Sequence, residues 1–416
     1  MRAHLERNES AIMRAMSPPG PGVRHRAPRL RVAPAAFLLA VVACCAGAEG
    51  PDAPGLAERW RTLRAEVIDP ADGQFDVGPV LEGAHGFLPI PVIVTEPAVG
   101  YGGGLVALFV RPRHAAGSEG FARPNLSAVG GIATENGTRV LLAGDSSLWL
   151  DGRLKTTIGG VSGDINLDVY GLGTTTSEQD EAVRYTLAVD GAMAQVDWQV
   201  APKSPWWIGV RFVHARIDPR LRDDPPFPGL EDRLRSTLAG PGVQLIYDTR
   251  DNVFTPTEGL FSETSAMVFD EAFGGSRDFR RYGQLLMGWW AAAPTVTVGV
   301  RGNYQQADGD VPFYARPFVY MRGIPAMRYP GDKVGTLEAE LRWQFHGRWS
   351  IVAFGGGGRA RIDDGLASGT QDAGAGGLGF RYEIAHKFGM HVGIDVARGP
   401  EDTAVYLQVG SAWARP

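Results

Sequence analysis

The stretch YMRGIPAMRYPGDKVGTLEAELRWQF, Tyr320–Phe345, sets an aperiodic segment with Arg322, Arg328 and Lys333 directly before an alternating one. In its second half Glu338, Glu340, Arg342 and Gln344 interleave with Leu337, Ala339, Leu341, Trp343 and Phe345. Residues two apart on an extended chain share a face, so Glu338 and Glu340 present neighbouring carboxylates. Either an arginine from the preceding loop forks onto them, or they line a wet pore beside a solvated arginine. Asp248, Asp251, Glu263 and Asp270 are the right ligand type for a divalent cation. They cross a turn, however, in which Asp251–Asn252 is ordinary turn chemistry. Ser262, Ser265, His214, His346 and His391, with Asp395 near His391, are the residue types of a hydrolase, but no spacing selects a nucleophile and its base. FGGGGRA, Phe354–Ala360, is followed neither by a helix nor by the Lys-Ser/Thr of a phosphate cradle, and glycine there lets a bulky loop approach the wall. No catalytic residue, metal ligand or cofactor site is expected.

A repeating β pattern positions these groups. From Phe87 onward, segments of about ten residues alternate apolar and polar between turn signals. TVTVGVRGNY sets Val296, Val298 and Val300 against Thr295, Thr297 and Arg301, and GLGFRYEI sets Leu378, Phe380, Tyr382 and Ile384 against Arg381 and Glu383. Fifteen such segments run from 99 to 413. A closed barrel of one bacterial chain has an even number of strands, so one more is sought at 88–95 or 165–172. A sandwich would bury the apolar faces, whereas a membrane barrel turns them to lipid. Strand length favours the barrel. So do tryptophans near strand ends, Trp149, Trp198, Trp206, Trp207, Trp289, Trp290, Trp343, Trp349 and Trp413, and the alternation of tight turns with long loops at 217–236, 305–334 and 361–373.

The 416 residues include 56 glycines and carry a net charge of −5, with no basic patch to suggest nucleic acid. Mean hydropathy is −0.11, as expected where apolar and polar residues alternate. Arg24, Arg26, Arg29 and Arg31 precede the apolar VAPAAFLLAVVACC, and AGA at Ala46–Ala48 has the small residues of a cleavage site. Residues 1–48 are therefore expected to be an export signal, with VVAC as an alternative lipoprotein box. Cleavage after Ala48 removes Cys44 and Cys45, the only cysteines, and with them any disulfide framework. Residues 49–86 are expected to form a short periplasmic segment, either partly disordered or with one short helix in GLAERWRTLRAEV, and 87–416 the barrel.

In order and spacing these stretches resemble the BamA/TamA-type outer-membrane barrel family, the bacterial surface antigen family. YDTRDNVFTPTEGLFSE, from Tyr247, resembles its turn motif through Asp248, Asp251, Asn252, Pro256 and Gly259. Met321, Arg322, Gly323 and Ile324 stand where the family has Val/Leu-Arg-Gly-Tyr/Phe. GFLPIPVIVTEPAVGYGGGLVALF, Gly86–Phe109, looks like the opening of a short single-barrel subgroup without periplasmic repeat domains. The resemblance implies an all-β, closed antiparallel transmembrane barrel of about 16 strands with an inward-folded loop. It makes Arg322 the loop's anchor, Glu338 and Glu340 its lumen-side partners, and Gly323 the point of close approach. Gly356 replaces an aspartate of the family's lock, and three residues follow Trp413. It further implies a monomeric barrel in outer-membrane lipid that transports or inserts a polypeptide or lipid, with a periplasmic accessory protein supplying the missing domains. No reaction is implied. A small-solute channel with a loop plug, and a barrel enzyme or structural surface antigen, are the alternatives.

Overall fold

The computed structural model describes residues 67–79, 86–111, 125–169, 183–222, 234–363 and 368–413. The expected export signal and the body of the expected helix lie outside them. Sixteen antiparallel strands form one sheet in strict sequence order, curled into a nearly closed barrel. They are β1 (Gly86–Val94), β2 (Gly102–Arg111), β3 (Asn125–Thr134), β4 (Arg139–Trp149), β5 (Leu154–Val169), β6 (Val183–Gln199), β7 (Trp206–Leu221) and β8 (Ser236–Asp248). The second half comprises β9 (Gly259–Phe269), β10 (Phe279–Ala293), β11 (Val296–Gly309), β12 (Lys333–His346), β13 (Trp349–Asp363), β14 (Ser368–Ala385), β15 (Met390–Arg398) and β16 (Thr403–Val409). Every neighbouring pair is joined by a ladder, while β1 and β16 end the sheet and share none among the described residues.

The sixteenth strand is β1, at the first of the two places expected. Of the other, 165–172, the described residues 165–169 belong to β5. Loops are correspondingly shorter than the sequence suggests, because β7 runs to Leu221 and β13 to Asp363, with β14 resuming at Ser368. The 18 residues of β14 are nearly twice the ~9–11 with which a tilted strand crosses a hydrocarbon layer, so a strand of this length has a distal part to spare. Here "distal" denotes the end away from the start of β1 and the end of β16. The last strand stops at Val409, short of the expected 413, because Gly410 turns the chain with φ +77°.

The alternation resolves as expected. Leu337, Leu341, Leu378 and Ile394 point outward and stay 45–63 % exposed, while Thr336, Glu338, Arg381 and Asp395 point inward and are buried. Trp149, Trp198, Trp206, Trp290 and Trp343 belong to the outer face. Trp289 and Trp413 do not. They turn inward and pack with Phe261, Leu285 and Met287, because Trp289 occupies the inward register position beside outward Trp290. Two further apolar clusters line the inner wall. One joins Leu187, Ile217, Leu238, Phe269 and Phe279 to Ala315, the other joins Val334, Ala360 and Ala373 to Val319, Met321 and Ile324. Each contains residues of the β11–β12 loop, so that loop fills the lumen.

Candidate functional site

The β11–β12 loop is a pinched hairpin. Phe318 bridges Pro330, Val319 N–H donates to Tyr329 O at 3.0 Å, and Gly331 N–H donates to Pro317 O at 2.8 Å. Its tip, Met321–Met327, enters the barrel interior. The wall has been cleared for it. A Cβ on Gly358 would lie 2.5 Å from Val319 Cγ1, which is the close approach expected of FGGGG. Gly323 has φ +89°, where an L side chain is strained, and its Cβ would sit 3.0 Å from Ala375 and 3.3 Å from Ala397.

This geometry delivers Arg322 to two carboxylates on different strands. One guanidinium nitrogen donates to Glu340 Oε2 of β12 at 2.7 Å, and the other to Asp395 Oδ2 of β15 at 2.8 Å. The guanidinium also lies 3.6 Å from the centroid of the Phe354 ring. Glu338 does not take the expected place beside Arg322. It binds Arg301 of β11 at 2.5 Å, and Arg301 donates onward to Tyr320 O at 3.3 Å. Cross-strand register explains this, because Arg301 lies directly opposite Glu338 and captures it. The acid that sequence reasoning missed is Asp395, fully buried and forked by Arg381 at 2.5 and 2.9 Å. It supplies the carboxylate absent at Gly356. Gly379 leaves room for it, since a Cβ there would fall 1.9 Å from Asp395 Oδ1.

Three arginines, Arg301, Arg322 and Arg381, thus balance Glu338, Glu340 and Asp395. Charges buried this well are tolerable only when paired, so the arrangement is suited to holding a loop in one pose. Around the tip, Gly323 N–H donates to the Tyr406 hydroxyl on β16 at 3.0 Å, and Ala326 N–H donates to Glu96 Oε1, just past β1, at 3.3 Å. Burial pushes the Glu96 carboxyl above the usual range, and the N–H groups of Ala326 and Ala98 oppose that. Arg328 reaches Glu401, in the β15–β16 turn, at 3.1 Å.

The turn motif forms a second site, at the proximal end. Asp248 accepts a fork from Arg250 at 2.9 and 2.8 Å. Asp251 accepts from Thr257 N–H at 3.0 Å and Glu258 N–H at 3.2 Å, and Asn252 Oδ1 accepts from Phe254 N–H at 2.7 Å. These bonds fold the turn so that it reaches other strands. Asn252 Nδ2 donates to Phe388 O at 2.7 Å, Arg342 of β12 donates to Pro256 O at 3.0 Å, and Ser411 N–H donates to Phe254 O at 2.6 Å. Gly259 is required at the exit, where a Cβ would fall 2.3 Å from Thr249 O.

A third constellation escaped sequence reasoning. Arg348, in the β12–β13 turn, is held by Asp69, by Asp72 at 2.6 Å and by Asp76 at 2.6 Å, all from the segment before β1. That segment also gives Phe75 O to the Tyr382 hydroxyl at 2.7 Å, and Val77 N–H donates to Ile384 O at 2.8 Å. Hydrogen bonding to Arg348 holds the Asp72 carboxyl below its ordinary range. At Asp76 burial pushes the carboxyl up, but the N–H groups of His386 and Gly78 and the Arg348 guanidinium outweigh it, and the net direction is down. The spacing Asp-x-x-Asp-x-x-x-Asp was visible in the sequence, but its single cationic partner lies 276 residues from Asp72.

The remaining candidates do not converge. Asp248 ends β8 and Asp270 follows the far end of β9, so the two stand at opposite rims of the barrel. Ser262 shares the outward register of Leu260 and accepts from Gln284 at 3.0 Å, whereas His391 lies inside, its Nδ1 3.2 Å from Gly389 O.

No protein-family profile and no curated protein matches the sequence. Solved structures match the fold. CdiB from Escherichia coli aligns with a TM-score of 0.55 and 14 % identity, over 77 % of this chain and 61 % of that one. BamA from Haemophilus ducreyi lacking POTRA domains 1–3 aligns at 0.52 and 10 % identity, over 78 % and 69 %. CdiB from Acinetobacter baumannii aligns at 0.52 and 11 %, over 78 % and 59 %. The chain therefore spans roughly three fifths to two thirds of the length of these proteins. What they share with it is the barrel.

Proposed function

We propose that this chain is an exported outer-membrane barrel of the BamA and CdiB kind that moves or inserts a polypeptide or lipid, with its lumen closed at rest by the Arg322 loop. The observation that carries this reading is the loop's anchorage on two separate strands, Glu340 of β12 and Asp395 of β15, inside a 16-stranded barrel. Losing one member of a buried charge pair leaves its partner uncompensated, a behaviour suited to a part that must be either seated or released. The outward ring of Leu337, Leu341, Leu378, Ile394 and Val409 suits hydrocarbon. In this reading the chain catalyses no reaction and works as a single barrel, and a periplasmic accessory protein collects its cargo. Depleting the chain from its host tests the proposal. The content of a defined outer-membrane protein or lipid should fall, and unchanged outer-membrane composition refutes it.

A small-solute channel is the second reading, favoured by the charged inner wall. It requires that Arg322→Ala raise single-channel conductance in planar bilayers, and flat conductance after loop removal rejects it.

A further inference from the structure

Four polar side chains meet on the outward face of β2, β3 and β4. Arg111 closes β2, Ser127 lies near the start of β3, and Asp145 and Ser147 precede Trp149 at the end of β4. All four are therefore at the proximal ends of their strands. Residues two apart share a face, and these share theirs with Leu105, Val129, Leu141 and Trp149, which are 49–67 % exposed on the lipid-facing wall. Arg111 Nη2 donates to Asp145 Oδ2 and, at 3.1 Å, to Ser147 Oγ. Ser127 Oγ donates to Asp145 Oδ2 and Ser147 Oγ to Asp145 Oδ1, both at 2.6 Å. Beside them Trp149 Nε1 donates to Thr156 Oγ1 at 2.8 Å.

The cluster is chemically unfinished. A guanidinium carries donors on three nitrogens, and among the described residues Arg111 uses Nη2 alone. A carboxylate offers about four lone-pair sites, and the bonds to Arg111, Ser127 and Ser147 fill three at Asp145. Both side chains stay open to the outside, Arg111 by 52 % and Asp145 by 36 %. A free cationic edge and a free anionic acceptor thus lie side by side on a wall where charge is costly unless it meets a polar partner. Distal to them the wall changes character. Cross-strand rows read Leu105–Gly131–Leu141 and Ala107–Val129–Ala143, so small residues alternate with large ones and leave shallow apolar hollows.

We propose that this notch binds the headgroup of a phosphoethanolamine phospholipid, whose acyl chains lie distally along the β2–β4 wall. The phosphate takes the unused edge of Arg111, a fork suited to paired oxygens. The ammonium donates to the open lone pair of Asp145. A choline headgroup has no N–H to donate there, and a glycerol headgroup brings no positive charge, so the site distinguishes ethanolamine from both. The apolar hollows commit the occupant to a lipid and not a water-soluble phosphate ester. This rests on the membrane placement in the proposed function and not on the cargo that the barrel moves.

The test is native mass spectrometry of the purified protein in detergent, titrated with phosphatidylethanolamine, phosphatidylcholine and phosphatidylglycerol of identical acyl chains. The first phosphatidylethanolamine should bind about tenfold more tightly than the other two, the effect of one hydrogen bond to a charged group. Asp145→Asn keeps the shape and should erase that preference, while Arg111→Gln should weaken all three lipids about tenfold. Arg359→Gln breaks the exposed pair with Asp372 elsewhere on the barrel and should change neither result. The parent protein alone supplies a check that needs no variant. Mono- and dimethylated phosphatidylethanolamine keep an N–H and should keep the preference, which the trimethylated lipid loses. Equal affinity for phosphatidylethanolamine and phosphatidylcholine overturns the proposal, as does a preference that survives Asp145→Asn. Displacement of the bound lipid by water-soluble O-phosphoethanolamine overturns it as a lipid site. If depletion alters the outer membrane while the lipid preference is absent, this inference falls and the broader function stands. If depletion has no effect, the broader function falls on its own test.

Discussion

Removal of Arg322 separates the observed anchor from the one the sequence suggested. In the Arg322→Ala protein, Asp395 keeps its fork from Arg381, and Glu338 keeps Arg301. Glu340 alone loses its charge partner, at a site where the side chain is only 10 % exposed. Breaking a buried pair so that one charge is orphaned costs about 3–5 kcal/mol. The lower end applies here, about 3 kcal/mol, because the guanidinium of Arg342 shares the inward face of β12 with Glu340. A double-mutant cycle assigns the partner. Arg322→Ala and Glu340→Gln should couple by about 2 kcal/mol, because either change alone removes the pair. Arg322→Ala and Glu338→Gln should couple by less than about 0.5 kcal/mol, as expected of residues without a shared bond. The assay is reversible urea unfolding in lipid vesicles, followed by tryptophan fluorescence, with maleimide labelling of Met327→Cys to report loop release. Coupling to Glu338 as large as that to Glu340, or labelling unchanged by Arg322→Ala, refutes the anchor described above.

Glycine positions make a graded series. Gly358→Ala sets a methyl against Val319 and should loosen the loop by about 1–3 kcal/mol, the range for overpacking, whereas Gly335→Ala meets nothing within 4 Å and should be neutral. The same urea titration distinguishes the two. Outward Leu341→Arg should destabilise the lipid-refolded barrel by about 2–4 kcal/mol if it sits at mid-membrane, with little effect on the protein in detergent. Docking of residues 67–79 should depend on pH. Asp72 and Asp76 have folded pKa values below their ordinary 3.8, so their contribution is complete above that value and is lost as pH falls through the folded ones. Proteolysis of this segment should be slow at neutral pH, should speed up progressively as pH falls below 3.8 toward the folded values, and should be fast at every pH in Arg348→Ala.

The wall was largely legible because one face of each strand meets a different solvent, and a period of two is written directly into stretches such as Leu337–Phe345. β1 was the least legible strand. LPIPVIV is apolar at nearly every position, and its prolines argue against an ordinary central strand. They belong because β1 lies at the sheet's edge, a fact that depends on fifteen later strands. The anchor was half legible. Arg322, Gly323 and Glu340 could be named from a local pattern, but Asp395 lies 73 residues from Arg322 and enters only through the register of β14 with β15. The register of β11 with β12 gave Glu338 to Arg301. Trp289 and Trp413 were misassigned because a tryptophan near a strand end suits a lipid interface or an inner cluster equally well, and only parity decides.

The cage around Arg348 bears on the order of assembly. Asp69, Asp72 and Asp76 precede every strand, yet their partner arises only when β12 and β13 are joined, and Tyr382 and Ile384 add a demand for β14. Contacts this distant along a chain form late. The leader therefore stays unmoored until the cylinder is nearly finished, and its capture marks maturity. A protease or chaperone that recognises the loose leader would distinguish immature chains from mature ones without inspecting the wall itself.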